Sequence, residues 1–194
     1  MTRLVLEASA TPATWVLSRA GEILASGTLS GTVAAGLVPS LQKDLRDPPR
    51  PDQILVGVGP GSFSGIRSAI ASAEGMAAVW HCPVLPIRST GSIAWQFPQA
   101  SRLGIFSDAR RGDVFATFYA SGKLEHPTAV HSAAELPALL SRCTLAVSPD
   151  GLPGVPQTAR PDATTLAAYL HAHGLEPGLS LEPIHLRPAL AART

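Results

Sequence analysis

The order of apolar segments predicts an α/β fold, with a regular first half and a less regular second half that is compatible with two lobes. Three observations carry the prediction. Short β-like runs alternate with two helical stretches through the first half. A glycine-rich turn, Gly57 to Arg67, joins one of those strands to one of those helices. The second half adds two strand-like runs around a charged turn, then a third strand and two more helical stretches. On this reading residues 1–100 form the first lobe and 101–194 a smaller second one.

The first strand is the apolar run Arg3–Ala8. Trp15-Val16-Leu17 follows a Thr-Pro break, and Glu22–Leu29 follows the Ala20-Gly21 turn as its hairpin partner. Thr32–Leu45 sets Val33, Leu37, Leu41 and Leu45 at spacings of four, the stripe of an amphipathic helix. Gln53–Val58 is a strand, Ser62–Trp80 a helix capped by Ser62, and Val84–Ile87 another strand. Leu103–Asp108 and Val114–Tyr119 read as strands around the turn Ala109–Asp113. Ser132–Leu140 is a short helix, Leu145–Val147 a buried strand, and Ala163–His173 a helix. Residues 148–161 are rich in Pro and Gly and read as loop, and the tail from Pro183 reads as extended. No internal repeat is visible.

Composition narrows the function classes. The chain has 194 residues, 45% hydrophobic and 15% charged, with net charge +1. That size supports one compact unit or two small lobes with a sizeable core. The near-neutral balance argues against a dedicated nucleic-acid surface. So low a charge content leaves little to solvate the surface and favours burial against a partner. Cys82 and Cys143 stand far apart in no metal-type spacing, which argues against a zinc site and a disulfide scaffold. The N-terminal apolar run stops at Glu7, unlike a signal peptide, and no stretch approaches an apolar span of about 20 residues. The expectation is a soluble, cytoplasmic protein with no membrane contact.

The glycine-rich turn reads Gly57-Val-Gly-Pro-Gly-Ser-Phe-Ser-Gly-Ile-Arg67. A strand feeding such a turn and then a helix N-terminus is the usual geometry for holding an anion. Known phosphate and nucleophile motifs fail on spacing. No Lys-Ser or Lys-Thr pair follows Gly65, as a P-loop needs. Gly59, Gly61 and Gly65 are one residue too widely spaced for a dinucleotide fingerprint. Phe63 occupies the centre of Gly61–Gly65, where a nucleophile elbow needs Ser. The alternative is that the glycines only permit a tight turn and close helix–strand packing. Spacing alone leaves both readings open.

The wording of the turn goes further than its spacing. Gly59-Pro-Gly-Ser-Phe-Ser-Gly-Ile-Arg67 resembles the signature of the TsaB family, also called YeaZ, whose usual form is Gly-Pro-Gly-Ser-Phe-Thr-Gly-Leu/Ile/Val-Arg. Ser107-Asp-Ala-Arg-Arg-Gly-Asp-Val-Phe115 resembles its Asp-Ala-Arg-x-Gly-Glu-Val-Tyr, and Glu182-Pro-Ile-His-Leu-Arg187 its C-terminal Pro-x-Tyr-Leu-Arg. Leu4–Ser9 is a looser match. The resemblance implies the ribonuclease-H-like core of the actin/Hsp70/sugar-kinase (ASKHA) superfamily, with a reduced second lobe. It also implies an inert partner of the catalytic subunit TsaD. With the ATPase TsaE, that pair supports threonylcarbamoylation of adenosine 37 in tRNAs that read codons beginning with A. The tRNA itself would be met only indirectly, no cofactor or metal is implied for this subunit, and the chain alone would form a homodimer.

Enzymes of the superfamily place a carboxylate at the end of the first strand to hold the magnesium of a nucleotide. The family's usual residue is Asp, in Asp-Thr-Ser/Thr, but this chain has Glu7-Ala8-Ser9. Glu is a methylene longer, which matters for an ion demanding tight octahedral geometry. Asp108 and Asp113 flank a turn with Arg110 and Arg111, and could either do acid–base work or be neutralised by those arginines. His171 and His173, two apart on a helix, diverge as metal ligands would not; His81, His126, His131 and His185 read as solvated. Arg67, in the first turn of a helix, opposes the macrodipole and calls for a carboxylate or an anion as partner.

The two first-lobe helices lack an ordinary solvated face. In the second, Ile66, Ile70, Ala73, Ala77 and Trp80 share the sheet-facing side, while Ser68, Ser72, Gly75 and Val79 form a second stripe of small residues. In that helix only Arg67 and Glu74 are charged. The first helix sets Thr32, Ala34, Ala35, Gly36 and Ser40 beside its apolar side, with no charge before Lys43. Small residues let helices approach closely. Either a partner or the chain's own second lobe covers these stripes. The resemblance favours a partner, with Ala35, Gly36, Ser40, Ser68, Ser72, Gly75 and Val79 in the interface. Where the family often has His then Ser or Thr, this chain has Ser30-Gly-Thr-Val-Ala-Ala35. Two other functions stay open from sequence: an ASKHA-type hydrolase or transferase, and a divergent ASKHA-fold scaffold outside the tRNA pathway.

Overall fold

The computed structural model describes residues 1–29, 31–44 and 50–184, the backbone alone at 42–44. Ser30, Leu45 and the motif residues His185 to Arg187 lie outside the described residues, as does the tail beyond Ile184.

Two five-stranded sheets form the frame. In the first, β1 (Thr2–Glu7), β2 (Thr14–Arg19) and β3 (Glu22–Thr28) run antiparallel. After α1 (Val33–Asp44), β4 (Gln53–Gly57) joins β1 in parallel. After α2 (Phe63–Trp80), β5 (Val84–Ile87) joins β4 in parallel. The order is β3-β2-β1-β4-β5. α3 (Thr90–Gln96) leads to the second sheet, where β6 (Arg102–Arg110), β7 (Asp113–Ala120) and β8 (Lys123–Ser132) run antiparallel. A 3-10 turn, Ala133–Glu135, and α4 (Leu136–Leu140) precede β9 (Leu145–Ser148), parallel to β6. The short β10 (Gln157–Thr158) is parallel to β9, and α5 (Ala163–His173) follows. The second order, β10-β9-β6-β7-β8, is the first repeated with β6 in the place of β1. This is the ribonuclease-H-like order of the ASKHA fold, laid down twice.

The architecture corrects the sequence reading in five places, one of them β10, a two-residue strand inside the stretch 148–161 read as loop. The chain does contain an internal repeat, one of topology; a sheet order needs only alternating apolar positions, so no side-chain pattern has to recur. β8 was missed because Pro127 interrupts it. Pro is tolerated there because β8 is an edge strand, and Pro127 with Thr128 bulges against the single residue Thr117. α3 was missed because it is only seven residues long and its first five, Thr90 to Ala94, are all buried, leaving no amphipathic period. Ser132–Leu140 is not one helix but a 3-10 turn followed by five α-helical residues.

Strand alternation distributes the core on both faces of each sheet. Leu4, Leu6, Trp15, Leu17, Ile54 and Val56 face α1 and α2, where Leu37, Ala69, Ala73 and Ala77 meet them. The alternate residues Val5, Val16 and Leu55 face α5 through Leu166 and Leu170. On the second sheet, Leu103, Ile105, Tyr119 and Val147 face Ile93 and Ala94 of α3. Phe106, Val114, Ala116 and Phe118 face Leu139 of α4. The inner helices are therefore exchanged. α3 follows the first sheet but covers the second, and α5 follows the second but covers the first. The sheets fall on either side of residue 100; the helices do not keep to that division.

Local chemistry fixes the helix ends. Ser62 Oγ accepts from the Gly65 amide at 3.3 Å to cap α2, and His81 in the left-handed region (φ 54°) ends it. Asp162 Oδ1 accepts from the Thr164 and Thr165 amides at 2.9 Å each and caps α5. Among the described residues no helix is long and apolar enough to cross a membrane.

Candidate functional site

Between the lobes lies a cleft of about 770 Å³. The glycine-rich turn and Ser9 form one wall, and Asp108, Arg110 and Asp150 part of the other. The turn is docked tightly on the end of β1. Ser62 donates its amide to the Ser9 carbonyl at 2.7 Å, and Gly59 donates to Ser89 Oγ at 2.9 Å. A Cβ on Gly61, whose φ is +154°, would stand 2.2 Å from the Ser9 carbonyl oxygen. One on Gly65 would stand 2.4 Å from the Ala8 carbonyl oxygen. These glycines are spaces through which backbone meets backbone. The amides of Gly59, Ser62, Gly65 and Ile66 are all engaged within the protein, so these four serve the packing of the turn.

Glu7 lies beneath this junction. It is 1% exposed, and its Oε1 accepts from the Ser9 amide at 2.7 Å. Oε2 has no hydrogen-bond partner, and neither has the buried Ser9 Oγ. A Cβ on Gly57 would fall 2.1 Å from Oε2, so the missing side chain makes the room that Glu7 fills. Burial pushes the Glu7 carboxyl above its ordinary range, and the Ser9 amide with the nearby Ser9 and Ser89 hydroxyls only partly opposes this. These residues do not fit the magnesium–nucleotide site that the superfamily implies. The first-strand carboxyl is packed under the turn instead of facing the cleft. Among the described residues, no three His, Cys, Asp or Glu side chains come together as a metal set.

On the opposite wall the carboxylates are committed to the chain itself. Asp108 Oδ1 accepts from the Arg110 amide at 2.7 Å, and Oδ2 pairs with Arg110 Nη1 at 3.1 Å. Asp150 Oδ2 accepts from the Asp108 amide at 2.8 Å, and Oδ1 from Ser148 Oγ at 2.6 Å. Asp113 stands opposite Arg110 in the hairpin register. The charged-turn reading of this segment is the one the geometry supports. Of the two partners expected for Arg67, a carboxylate is not found in its own helical turn, and the guanidinium lies 5.6 Å from the centroid of the half-exposed Phe63 ring.

The helix stripes divide. Ser68, Ser72 and Gly36 are half-buried, while Ala35 and Gly75 are exposed and Val79 is 69% exposed. A Cβ on Gly75 would meet nothing within 4 Å. Val38 of α1 is also exposed, at 46%. Ser40 is turned inward, its Oγ accepting from Trp15 Nε1 at 3.0 Å. The second lobe leaves the outer ends of both stripes open.

Sequence reasoning missed the clamp between the lobes. Arg88, just after β5 and 8% exposed, holds Glu176 beyond α5 in a bidentate pair, Nε to Oε2 at 2.8 Å and Nη2 to Oε1 at 2.5 Å. Its Nη1 donates to Thr128 Oγ1 of β8 at 2.8 Å. Nearby, Thr90 and Tyr119 share a hydroxyl contact of 2.8 Å, and burial pushes the Tyr119 phenol far up. A lone Arg in Ile87-Arg-Ser-Thr90 gives no sequence signal, since its partners lie 40 and 88 residues away.

The family model described as TsaD, tRNA N6-adenosine threonylcarbamoyltransferase, matches residues 41–145, more than half of the chain. Uncharacterized proteins of Mycobacterium bovis and Mycobacterium tuberculosis are 33% identical over 85 residues, 44% of this chain. The match spans only 39% of those relatives' length. Among solved structures, YeaZ from Pseudomonas aeruginosa superposes with a TM-score of 0.67 at 24% identity, covering 89% of this chain and 93% of that one. An uncharacterized protein described as similar to the peptidase YeaZ from Pseudomonas aeruginosa gives 0.68 at 22%, covering 96% and 99%. The chain thus belongs to the TsaD family of tRNA N6-adenosine threonylcarbamoyltransferases and carries the YeaZ (TsaB) form of the ASKHA fold.

Proposed function

We propose that the chain is a non-catalytic partner of a TsaD-type transferase subunit. In this reading it supports threonylcarbamoylation of adenosine 37 in tRNAs that read codons beginning with A, together with a TsaE-type ATPase. It meets the tRNA only through that subunit and forms a homodimer when alone. The observation that carries the reading is the outer face of α1 and α2. An 18-residue helix that only roofed a sheet would turn charges outward. α2 instead presents Ala71, Gly75, Ala78 and Val79 to solvent, with Arg67 and Glu74 as its exposed charges, and α1 adds Ala34, Ala35 and Val38. The inert status draws on the buried Glu7 and on cleft carboxylates already bonded to backbone and arginine.

Arginine at Ser72 or Val79 tests the surface. Burying a guanidinium without a counter-charge between close helices should cost several kcal/mol, and about 1.4 kcal/mol is tenfold in affinity. Val79→Arg is the cleaner variant, because that side chain is already mostly in solvent. The expected result is a chain with unchanged circular dichroism that no longer dimerises or binds the TsaD-type subunit on size exclusion. A folded Val79→Arg and Ser72→Arg pair that still does both places the interface elsewhere.

A further inference from the structure

We propose that Glu7 is held as a neutral carboxylic acid beneath the glycine-rich turn, and that losing its proton as pH rises releases the turn from the end of β1. The placement leaves little alternative to the neutral form. The carboxyl is 1% exposed, and around it are one amide donor and the neutral hydroxyls of Ser9 and Ser89, with no cation. An ion so placed lacks both water and a counter-charge, whereas an acid loses much less on burial. The groups packed around it offer no cation. Gly57 of β4, Ser9 after β1 and Ser89 after β5 are uncharged. The charged group set against it is Asp162, the cap of α5, an anion that pushes further toward the neutral form.

The link to the turn is short and physical. Two hydrogen bonds fasten the turn, Ser62 amide to Ser9 carbonyl and Gly59 amide to Ser89 Oγ. Glu7 touches the acceptor residue of the first through the Ser9 amide. It shares with the second the space left open at Gly57, where a Cβ would stand 2.1 Å from Glu7 Oε2 and 2.8 Å from Ser89 Oγ. Water drawn in to solvate an ionised Glu7 has to enter between those two fastenings. The direction of the pH effect follows from burial, which raises the carboxyl above its ordinary value. Where the folded chain holds a proton that the unfolded chain has lost, stability present at low pH is lost as pH rises through the raised value.

The test compares wild type with Glu7→Gln, which keeps the shape and cannot ionise. For one proton, the wild-type folding constant should fall by up to about tenfold per pH unit across the window between ordinary and raised values. Glu7→Gln should lack that component. Amide exchange across 59–66, compared between the two chains at each pH, should accelerate in wild type alone. Identical pH dependence of both chains overturns the proposal, as does a loss of stability with unchanged protection of 59–66. If Glu7→Gln does not fold, the carbon-13 shift of the Glu7 carboxyl in wild type decides. An acid shift at a pH where ordinary glutamates are ionised supports it, and a carboxylate shift overturns it.

Discussion

The two lobes share one strand order and differ in what covers their outer faces. On the first sheet that cover is α1 and α2, of 12 and 18 residues. On the second it is the five-residue α4, with the side chains of Leu152 and Val155 from the loop after β9 completing the layer. No helix separates β9 from β10, where α2 separates β4 from β5. The second lobe shows how little is needed to roof such a sheet. Set beside it, the first lobe has more helix than its core requires, and the surplus surface carries little charge, Arg67 and Glu74 on α2. The inner faces differ in another way. Each is covered by the helix that follows the other sheet, so α3, α5 and the Arg88–Glu176 pair make the lobes one folding unit. The outer layers distinguish the lobes; the inner layers bind them together.

The sharpest break in this comparison lies in the joint that sets α2 on its sheet. Gly61→Val would bring a side chain onto the Ser9 carbonyl, 2.2 Å from the Cβ position, at a φ that L residues rarely adopt. Neither backbone can yield without undoing the Ser62–Ser9 hydrogen bond. The expected loss is roughly 4 kcal/mol or more, among the large effects for a single change. Denaturant unfolding measures it. An unchanged midpoint would show that α2 does not depend on this docking, and the contrast between thick and thin outer layers would lose its structural basis.

A smaller effect tests whether the inner layers join the lobes. Arg88→Met removes the cation from Glu176 and Thr128 while keeping much of the stem. Because Glu176 is partly exposed, the loss falls at or below the lower end of what a broken buried pair costs, roughly 2–3 kcal/mol. Calorimetry should show one transition in wild type and a broadened or divided one in the variant. A variant that melts as sharply and as high as wild type would leave α3 and α5 alone holding the lobes together.

How much of this was legible in the sequence divides along the same line. The first lobe was readable nearly element by element, because Val33, Leu37 and Leu41 on α1 and the capped run from Ser62 give clear periods. The second was not. β8 hides behind Pro127, α3 has no polar face to set its phase, and β10 is two residues long. At the site, the glycine-rich turn announced itself by composition, but which backbone it approaches was invisible. That depends on Ser9 and Ala8, more than 50 residues earlier, and on the empty space at Gly57. Glu7 drew notice as an altered residue, while its burial against that space is a property of packing alone. Arg88 gave no signal at all, since a buried arginine is defined by partners that only the fold supplies.

The smallest predicted effect addresses the surplus face most directly. Gly75 lies inside α2 with nothing within 4 Å of its missing side chain, and its φ is ordinary. No packing within the chain therefore requires glycine there, and a glycine inside a helix costs stability through backbone entropy. Gly75→Ala should stabilise the isolated chain by about 0.5–1 kcal/mol. If a partner helix passes close to this point, the added methyl should instead weaken the dimer or the complex with the TsaD-type subunit. Opposite signs, a higher melting temperature alone and a lower affinity in complex, would mark Gly75 as a place where another backbone approaches. Stabilisation with unchanged affinity would mean that this face is open at that point in the assembly as well, and would confine the contact to the Ser68 and Ser72 end of α2 and to α1.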